Sequence, residues 1–219
     1  MELQLTLSSD ATFGRGEGVA GLIDTEVEHD EYGLPFLRGR TLKGLLVEEC
    51  ANLLFALEGQ GSPVLAEFEC AARFLFGRAG STLEDDARMH VGAAQLPAEL
   101  HAAVKAEVER KHLTAAEVLE SLTGIRRQTS LDEETHAPEE ASLRSSRVIL
   151  RETTFTAPLK FDEEPDHKAM ALLVACIKSL RRAGTGRNRG RGRLTATLID
   201  AGMMQKGWAY FTAAVEGRQ

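Results

Sequence analysis

The chain has 219 residues, 43% of them apolar, so it is long enough for one domain with a full hydrophobic core and short for two. Its three cysteines form no C-x-x-C pair, which argues against a disulfide framework or a thiolate zinc site and favours a cytoplasmic setting. No leader pattern and no apolar run of membrane-spanning length is present, so we expect neither secretion nor membrane insertion.

The charge is unevenly distributed along the chain. A formal charge of −7 argues, taken alone, against a nucleic-acid-binding protein, because phosphate binding requires positive potential at the contact surface. Six arginines nevertheless fall between positions 181 and 193, and the acidic clusters lie elsewhere. The cations are therefore concentrated where a polyanion could bind.

The N-terminal part of the chain predicts a strand, a long loop and a helix. Leucines alternate with polar residues over positions 2–7, which indicates a half-buried strand. Residues 8–33 are glycine-rich and acidic, and a loop of this length in a compact domain is typical of a functional segment. Thr41 is predicted to cap a helix, since apolar residues recur every three or four positions over 42–57.

The middle of the chain predicts a short helix after Pro63, a strand over residues 89–94 and two additions to the core. Residues 97–123 are predicted to form an inserted helical pair outside the central sheet, and Thr114 begins a capping box in its second helix. Residues 124–147 are polar, charged and interrupted by proline, which indicates an extended arm or hairpin.

Regular patterns return in the C-terminal part. Residues 155–161 predict a strand, residues 165–184 predict a helix that Gly184 would end, and residues 194–198 predict a further strand. The order strand, helix, strand, strand, helix, strand matches the ferredoxin-like motif, an α+β fold with two helices on one face of an antiparallel sheet. We therefore predict one ferredoxin-like domain over residues 1–219.

The segment from Gly184 to Leu194 is the strongest candidate for a phosphate contact. Glycine allows the backbone to approach a ligand closely, and guanidinium groups beside unhindered amides form an anion cradle suited to phosphodiesters. A flexible surface turn with solvated arginines is the alternative. The predicted RNA-binding residues of this segment are Gly184, Gly186, Arg187, Arg189, Gly190, Arg191, Gly192 and Arg193.

A second cationic element lies where a turn leads into the first predicted helix. Unpaired amides and the positive end of the helix dipole favour a phosphate there, and three basic side chains add to this potential. Exposed charges near an ordinary helix start are the alternative. The predicted RNA-binding residues of this element are Arg38, Arg40, Thr41 and Lys43.

At these two elements the sequence resembles the RAMP superfamily of CRISPR-associated proteins. The family's C-terminal loop, G-x-G-x-x-x-x-R-G-x-G-x-L/V, is matched, with fewer residues before its Arg-Gly pair, by Gly184, Gly186, Arg189, Gly190, Gly192 and Leu194. Residues 34–44 resemble the family's helix start, although Arg38 and Arg40 replace the usual proline and first serine. The similarity extends over residues 75–77 and 131–144. It implies a subunit that binds guide RNA (crRNA).

Within the superfamily the chain looks most like the repeated backbone subunit of type III (Csm/Cmr-like) effector complexes. This resemblance implies complementary target RNA and other effector subunits as partners, with copies or paralogues assembled side by side. It also matches Asp24 to the family's aspartate that is required for cutting target RNA, and implies that Asp24 holds Mg²⁺ or another divalent cation. The alternative is that Asp24 is one of several solvated acids in a mobile loop.

The resemblance further identifies residues 124–147 as the family's thumb, a hairpin that pushes between bases of the guide and target duplex. Leu131 and Leu143 would then be apolar wedges. A disordered acidic loop is the alternative. The arm residues predicted to contact RNA phosphates are Arg126, Arg127, Arg144 and Arg147.

Three functions remain open. The first is a metal-dependent endoribonuclease subunit of an effector complex, and the second is a structural RNA-binding subunit without activity. The third is a guide-processing endoribonuclease, which would use a general-base histidine. No histidine occurs in the expected early helix, which disfavours the third function.

Overall fold

The computed structural model describes residues 1–16, 18, 23–78, 87–129 and 144–217. Its strands are β1 (Glu2–Leu7), β2 (Met89–Val91), β3 (Thr123–Gln128), β4 (Arg144–Ile149), β5 (Thr154–Phe161) and β6 (Leu194–Leu198). Its helices are α1 (Gly39–Gly59), α2 (Leu65–Phe76), α3 (Ala98–Glu109), α4 (Ala115–Leu122), α5 (His167–Ser179) and α6 (Ala201–Val215). No helix in these ranges combines the length and the hydropathy needed to cross a bilayer.

Four of the strands form an antiparallel sheet in the order β2-β5-β1-β6. On β1, Leu5 lies opposite Phe155 of β5 on one side and opposite Ala196 of β6 on the other. The chain visits these strands in the order β1, β2, β5, β6, with helices after β1 and after β5. This is the ferredoxin-like topology, so the predicted α+β fold is confirmed.

The core lies between one face of the sheet and the helices. The three leucines of β1 are at most 1% exposed, whereas Gln4 and Thr6 on the opposite face are partly exposed. Helix α5 contacts α1, α2 and α6, and all its residues from 171 to 177 are fully buried. Burial of each large apolar side chain contributes about 1.5–3 kcal/mol. Because α5 is central, its C-terminal end fixes where the glycine-rich segment begins.

Helix α6 was not predicted from the sequence. Asp200 caps it, since its Oδ1 accepts a hydrogen bond of 2.9 Å from Met203 N. Gly207 lets the helix lie close to α5, because a Cβ there would be 2.7 Å from Val174 Cγ2. The helix therefore covers a side of α5 that the six-element pattern left without a partner.

The start of α1 differs from the prediction. The helix begins at Gly39 with Arg38 as its N-cap residue, and no side chain caps its amides, so the prediction that Thr41 is the cap is wrong. Gly39 lies so close to β2 that a Cβ would overlap the carbonyl oxygen of Val91. Because of this packing the helix starts at Gly39, before the predicted start, and Thr41 is exposed in its first turn.

The end of α5 differs as well. The helix ends at Ser179, and Leu180 leaves it at φ −69° and ψ 99°, so the prediction that Gly184 ends this helix is wrong. Gly184 instead has a φ of +90° and packs against Thr12, where a Cβ would lie 2.5 Å from the carbonyl oxygen. The polar segment that follows α5 is thus longer than the sequence indicated.

The predicted helical insertion is present as α3 and α4. Thr114 Oγ1 accepts a hydrogen bond from Glu117 N (3.2 Å), and the Glu117 carboxylate accepts one from Thr114 N (2.8 Å), which confirms the capping box. Strand β2 ends at Val91 rather than at position 94, because Ala94 exchanges two backbone hydrogen bonds with Leu37.

The predicted arm is a hairpin, in which β3 and β4 pair antiparallel along their whole length in a separate two-stranded sheet. The loop between β1 and α1 runs beside this hairpin and forms a parallel bridge from Thr25 to Ser146 of β4. The proposed wedges Leu131 and Leu143 lie outside the described residues. The base of the arm and this first loop therefore form one packed unit.

Candidate nucleic-acid interface

The glycine-rich segment packs closely on the first loop of the same chain. Thr185 N donates a hydrogen bond to Thr12 O (2.8 Å), and Gly192 N donates one to Asp10 O (2.9 Å). Gly184 and Gly192 have left-handed φ values of +90° and +64°, and a Cβ at either position would collide with a backbone carbonyl oxygen. These two glycines are therefore required for packing within the chain.

The turn between these two anchors is open to solvent. Gly186 and Gly190, with φ values of +75° and +83°, flank the 3₁₀ turn Arg187–Arg189. A Cβ at Gly190 would meet no atom within 4 Å. The left-handed glycines reverse the chain on both sides of the turn, which exposes Arg189.

A cavity of ≈ 490 Å³ lies beside this turn, and we call it the Asp24 cavity. Its charged lining residues are Asp24, Arg144, Arg187, Arg189 and Arg191. The structure thus brings the predicted catalytic acid and the predicted RNA-binding loop to one cavity. Four guanidinium groups around a single carboxylate give this surface a positive potential, which favours a phosphate.

The Asp24 carboxylate is exposed but anchored to β4. Its Oδ2 accepts hydrogen bonds from Ser145 N (2.6 Å) and from Ser145 Oγ (3.1 Å), and Asp24 N donates to Ser145 O (3.0 Å). The backbone hydrogen bond from Ser145, then its hydroxyl, and then the charge of Arg144 hold the pKa of Asp24 below its ordinary value. Asp24 is therefore ionised at neutral pH.

The described residues do not form a complete metal site. Within the described ranges, no group of three or more His, Cys, Asp or Glu side chains is arranged to hold an ion. Asp24 is the only carboxylate among the described residues that line its cavity. Mg²⁺ is commonly bound by one or two carboxylates together with substrate phosphates and water. Among the described lining residues, Asp24 is thus the one acidic side chain that could ligate a divalent cation, and binding of such an ion stays a prediction.

A second cavity of ≈ 440 Å³ continues toward the start of α1. Gly184, Thr185 and Arg187 line both cavities, and the second is also lined by Arg38 and Thr41. The two cationic elements identified separately in the sequence therefore border one continuous surface, which we call the groove.

The basic residues around the start of α1 have different surroundings. Arg38 Nη2 donates a hydrogen bond of 2.8 Å to Glu28 Oε1. Lys43 Nζ donates one of 3.5 Å to a backbone carbonyl of β2. Arg40 is exposed and lines neither cavity of the groove. RNA contacts by these residues, as by every other predicted residue, stay predictions.

Several of the predicted RNA-binding arginines form ion pairs within the chain. The pairs are Arg187 with Glu48 (2.8 Å), Arg126 with Asp10 (2.5 Å) and Arg147 with Glu26 (2.9 Å). In the last pair Glu26 is buried (8% exposed) and Arg147 is partly buried (14% exposed), so the Arg147 guanidinium links the hairpin to the first loop. The paired residues are 116 to 139 positions apart, and no local pattern could have revealed them.

Further predicted residues line neither cavity of the groove. Arg127 is exposed on β3, and Gly190 stands at the outer end of the turn. Arg193 lines a separate cavity together with Arg181 and Arg182. Their contacts with RNA also stay predictions.

The chain is similar to known proteins in sequence family and in fold. A family model described as the RAMP superfamily matches residues 4–195. A chain in a cryo-EM structure of the type III-B Cmr-beta complex bound to cognate target RNA aligns with a TM-score of 0.63 and 15% identity, over 89% of this chain and 95% of that chain. A chain of the apo state aligns with a TM-score of 0.62 and 15% identity, over 91% and 97%. No curated protein sequence matches this chain. At this identity the structural likeness supports the fold alone.

Proposed function

Because the chain belongs to the RAMP superfamily, we propose that it is a guide-RNA-binding subunit of a type III CRISPR effector complex and that it cuts paired target RNA. The Asp24 cavity carries this proposal, since an ionised carboxylate there faces the arginines of the glycine-rich segment. The Cmr-beta complex, a chain of which shares the fold, has been seen bound to cognate target RNA, which supports RNA as the partner.

In this proposal the arginines position the RNA and Asp24 acts at the phosphate that is cut. Arg189 and Arg191 donate hydrogen bonds to phosphate oxygens and hold the backbone in the cavity. A divalent cation bound there would supply positive charge that stabilises the phosphate while the adjacent ribose 2′-hydroxyl displaces the 5′-oxygen of the next nucleotide. The P–O5′ bond breaks as the P–O2′ bond forms, and the hydroxyl proton passes to the leaving 5′-oxygen through water, which gives a 2′,3′-cyclic phosphate and a 5′-hydroxyl. Asp24, whose carboxylate Ser145 orients by hydrogen bonds, is the residue of this chain that would bind the cation.

The proposed setting is a cytoplasmic effector complex. Its other components are guide RNA, complementary target RNA and further effector subunits. Copies or paralogues of this chain would lie side by side along the guide, with the β3–β4 hairpin in the position of a thumb.

An RNA-binding subunit that does not cut is the second candidate, and the contact between Asp24 and Ser145 favours it. That contact gives Asp24 a structural role, because it joins the first loop to β4 without any chemistry. A guide-processing endoribonuclease has less support, since no histidine lines either cavity of the groove among the described residues.

The test is cleavage of paired target RNA by particles assembled from the purified protein and guide RNA. Asp24→Ala should abolish Mg²⁺-dependent cleavage and leave target affinity nearly unchanged, because a carboxylate that binds the metal acts mainly on the transition state. Asp24→Asn should be almost as damaging, since it keeps the shape of the side chain and removes its charge. If the wild type does not cut, the non-cutting subunit is supported. If both variants cut at the wild-type rate, Asp24 is not the catalytic residue and is only a structural acid of the first loop.

A further inference from the structure

A third cavity, of ≈ 630 Å³, lies beside β6, the end strand of the sheet. Its charged lining residues are Lys178, Arg181, Arg182 and Arg193, with no carboxylate among the described lining residues. Three hydroxyl groups also line it, those of Ser8, Thr195 and Thr197. This surface, which we call the β6 cavity, shares no lining residue with the Asp24 cavity.

The four cations of the β6 cavity are exposed and lack acidic partners. Among the described residues none of them forms an ion pair, in contrast to Arg38, Arg126 and Arg187. The Lys178 ammonium lies 5.0 Å from the centroid of the Trp208 ring, a cation–π contact that orients the ammonium and leaves its charge in place. Like charges held together repel one another, so an anion bound among them would lower the free energy of this surface.

We propose that the β6 cavity binds the phosphodiester backbone of RNA as a second contact, separate from the groove. Guanidinium, ammonium and hydroxyl groups all donate hydrogen bonds to phosphate oxygens. The backbone that carries Arg193 is fixed, because Leu194 N donates to Arg181 O (2.9 Å) and Arg193 N donates to Ser9 Oγ (2.9 Å).

RNA is favoured over an acidic protein surface because the same glycine-rich segment supplies arginines to both cavities. Arg191 lines the Asp24 cavity, and Arg193, two positions later, lines the β6 cavity. A strand that crosses this segment would contact both. The proposal rests on the proposed RNA-binding function and adds Lys178, Arg181 and Arg182 to the residues that carry it.

The experiment compares the binding of single-stranded RNA by three proteins over a range of salt concentrations. The first is the wild type, and the second is the triple variant Lys178→Ala/Arg181→Ala/Arg182→Ala. The matched control removes three exposed cations outside the cavities, in Arg73→Ala/Arg110→Ala/Lys160→Ala. The slope of log K against log salt should be less steep by about 2 in the triple variant, at about 0.7 per phosphate contact. Affinity should fall roughly tenfold or more at low salt, and the control should retain most of the affinity.

The outcomes separate this proposal from the function on which it rests. If the wild type itself does not bind RNA, the proposed function fails and the β6 cavity proposal fails with it. If the wild type binds and the triple variant shows the same affinity and slope, only the β6 cavity proposal is overturned. Unchanged RNA binding with loss of multi-subunit particles in sedimentation would assign the cavity to an acidic surface of a neighbouring subunit. Thermal denaturation should show the triple variant to be folded, because all three side chains are exposed.

Discussion

Three acids of the first loop differ in their partners and exposure. Glu26 is buried and paired with Arg147, and Glu28 is buried and paired with Arg38. Asp24 alone of the three is exposed at the Asp24 cavity, where Ser145 binds one of its carboxylate oxygens. Asp24 is therefore the acid of this group that can meet a ligand without first breaking a buried ion pair.

Ser145 should control the ionisation of Asp24. Ser145→Ala removes the hydroxyl hydrogen bond and keeps the backbone one, so the pKa of Asp24 should rise toward its ordinary value of 3.8 without reaching it. Because the pKa of Asp24 is lower in the folded than in the unfolded protein, its ionised form stabilises the fold at pH values above the unfolded pKa of about 3.8. This contribution is lost as the pH falls below that value. A ¹³C NMR titration of the Asp24 carboxyl measures the shift directly.

The control for this prediction is Ser121→Ala. The Ser121 hydroxyl donates to Val118 O within α4 and has no contact with Asp24. Ser145→Thr keeps a hydroxyl on the strand and should restore the low pKa. An Asp24 titration that is identical in wild type and Ser145→Ala would show that the hydroxyl does not stabilise the ionised carboxylate.

The sequence predicted which residues border the groove better than it predicted their contacts. Glycine and arginine spacing indicated the segment from 184 to 193, and the structure places five of its eight predicted residues along the groove. The pattern could not show that Gly184 and Gly192 are needed for packing within the chain. The carbonyl oxygens that a Cβ would meet there belong to Thr12 and Ala183, and only the folded chain brings them close. Ser145 carried no signal, since its role depends on a contact between residues 121 positions apart.

At the scale of elements, periodicity predicted the existence of helices and strands more reliably than their ends. The start of α1 and the end of α5 are set by tertiary packing, which single-residue propensities do not contain. Helix α6 went unpredicted although Met204, Gly207, Phe211 and Ala214 recur at helical spacing. Exposed Trp208 and other apolar residues between them blurred that pattern.

The buried pair between Arg147 and Glu26 should stabilise the join between the hairpin and the first loop. Arg147→Ala would leave the Glu26 carboxylate buried without its partner, and removing one member of such a pair costs about 3–5 kcal/mol. Arg127→Ala, on exposed β3, is the matched control and should change the free energy of unfolding by less than about 0.5 kcal/mol. Urea denaturation of both variants measures the difference.

This prediction fails if the two variants unfold at the same urea concentration. The double variant Glu26→Gln/Arg147→Met should recover part of the loss, because it removes both buried charges at once. No recovery would mean that neither the charge nor the aliphatic stem of Arg147 accounts for the loss, and would assign it to the hydrogen bond that Arg147 Nη1 donates to Thr123 Oγ1 (3.2 Å).

At the scale of the whole molecule, the order of elements was enough to predict the sheet. Few compact arrangements are possible for the order strand, helix, strand, strand, helix, strand. The ferredoxin-like arrangement is the one in which the connections are short and right-handed, as proteins prefer. The charge distribution was harder to interpret, because ion pairs such as Arg187 with Glu48 neutralise cations that the sequence presents as free. Among the described residues, the cations without acidic partners are therefore the ones to test first for RNA binding.

The chain should assemble side by side along guide RNA. A net charge of −7 makes free copies repel one another, whereas bound RNA occupies the cationic cavities and holds neighbours in register. If the contact between neighbours is heterologous and does not close into a ring, the row of subunits can grow without limit. The length of the RNA then sets the number of copies. Sedimentation of the protein with RNAs of increasing length should show particles whose mass grows in steps of one subunit. Arg189→Ala/Arg191→Ala should shorten these particles at a given protein concentration, since each copy binds RNA more weakly. A single copy bound to the longest RNA, at protein concentrations that saturate it, would contradict side-by-side assembly.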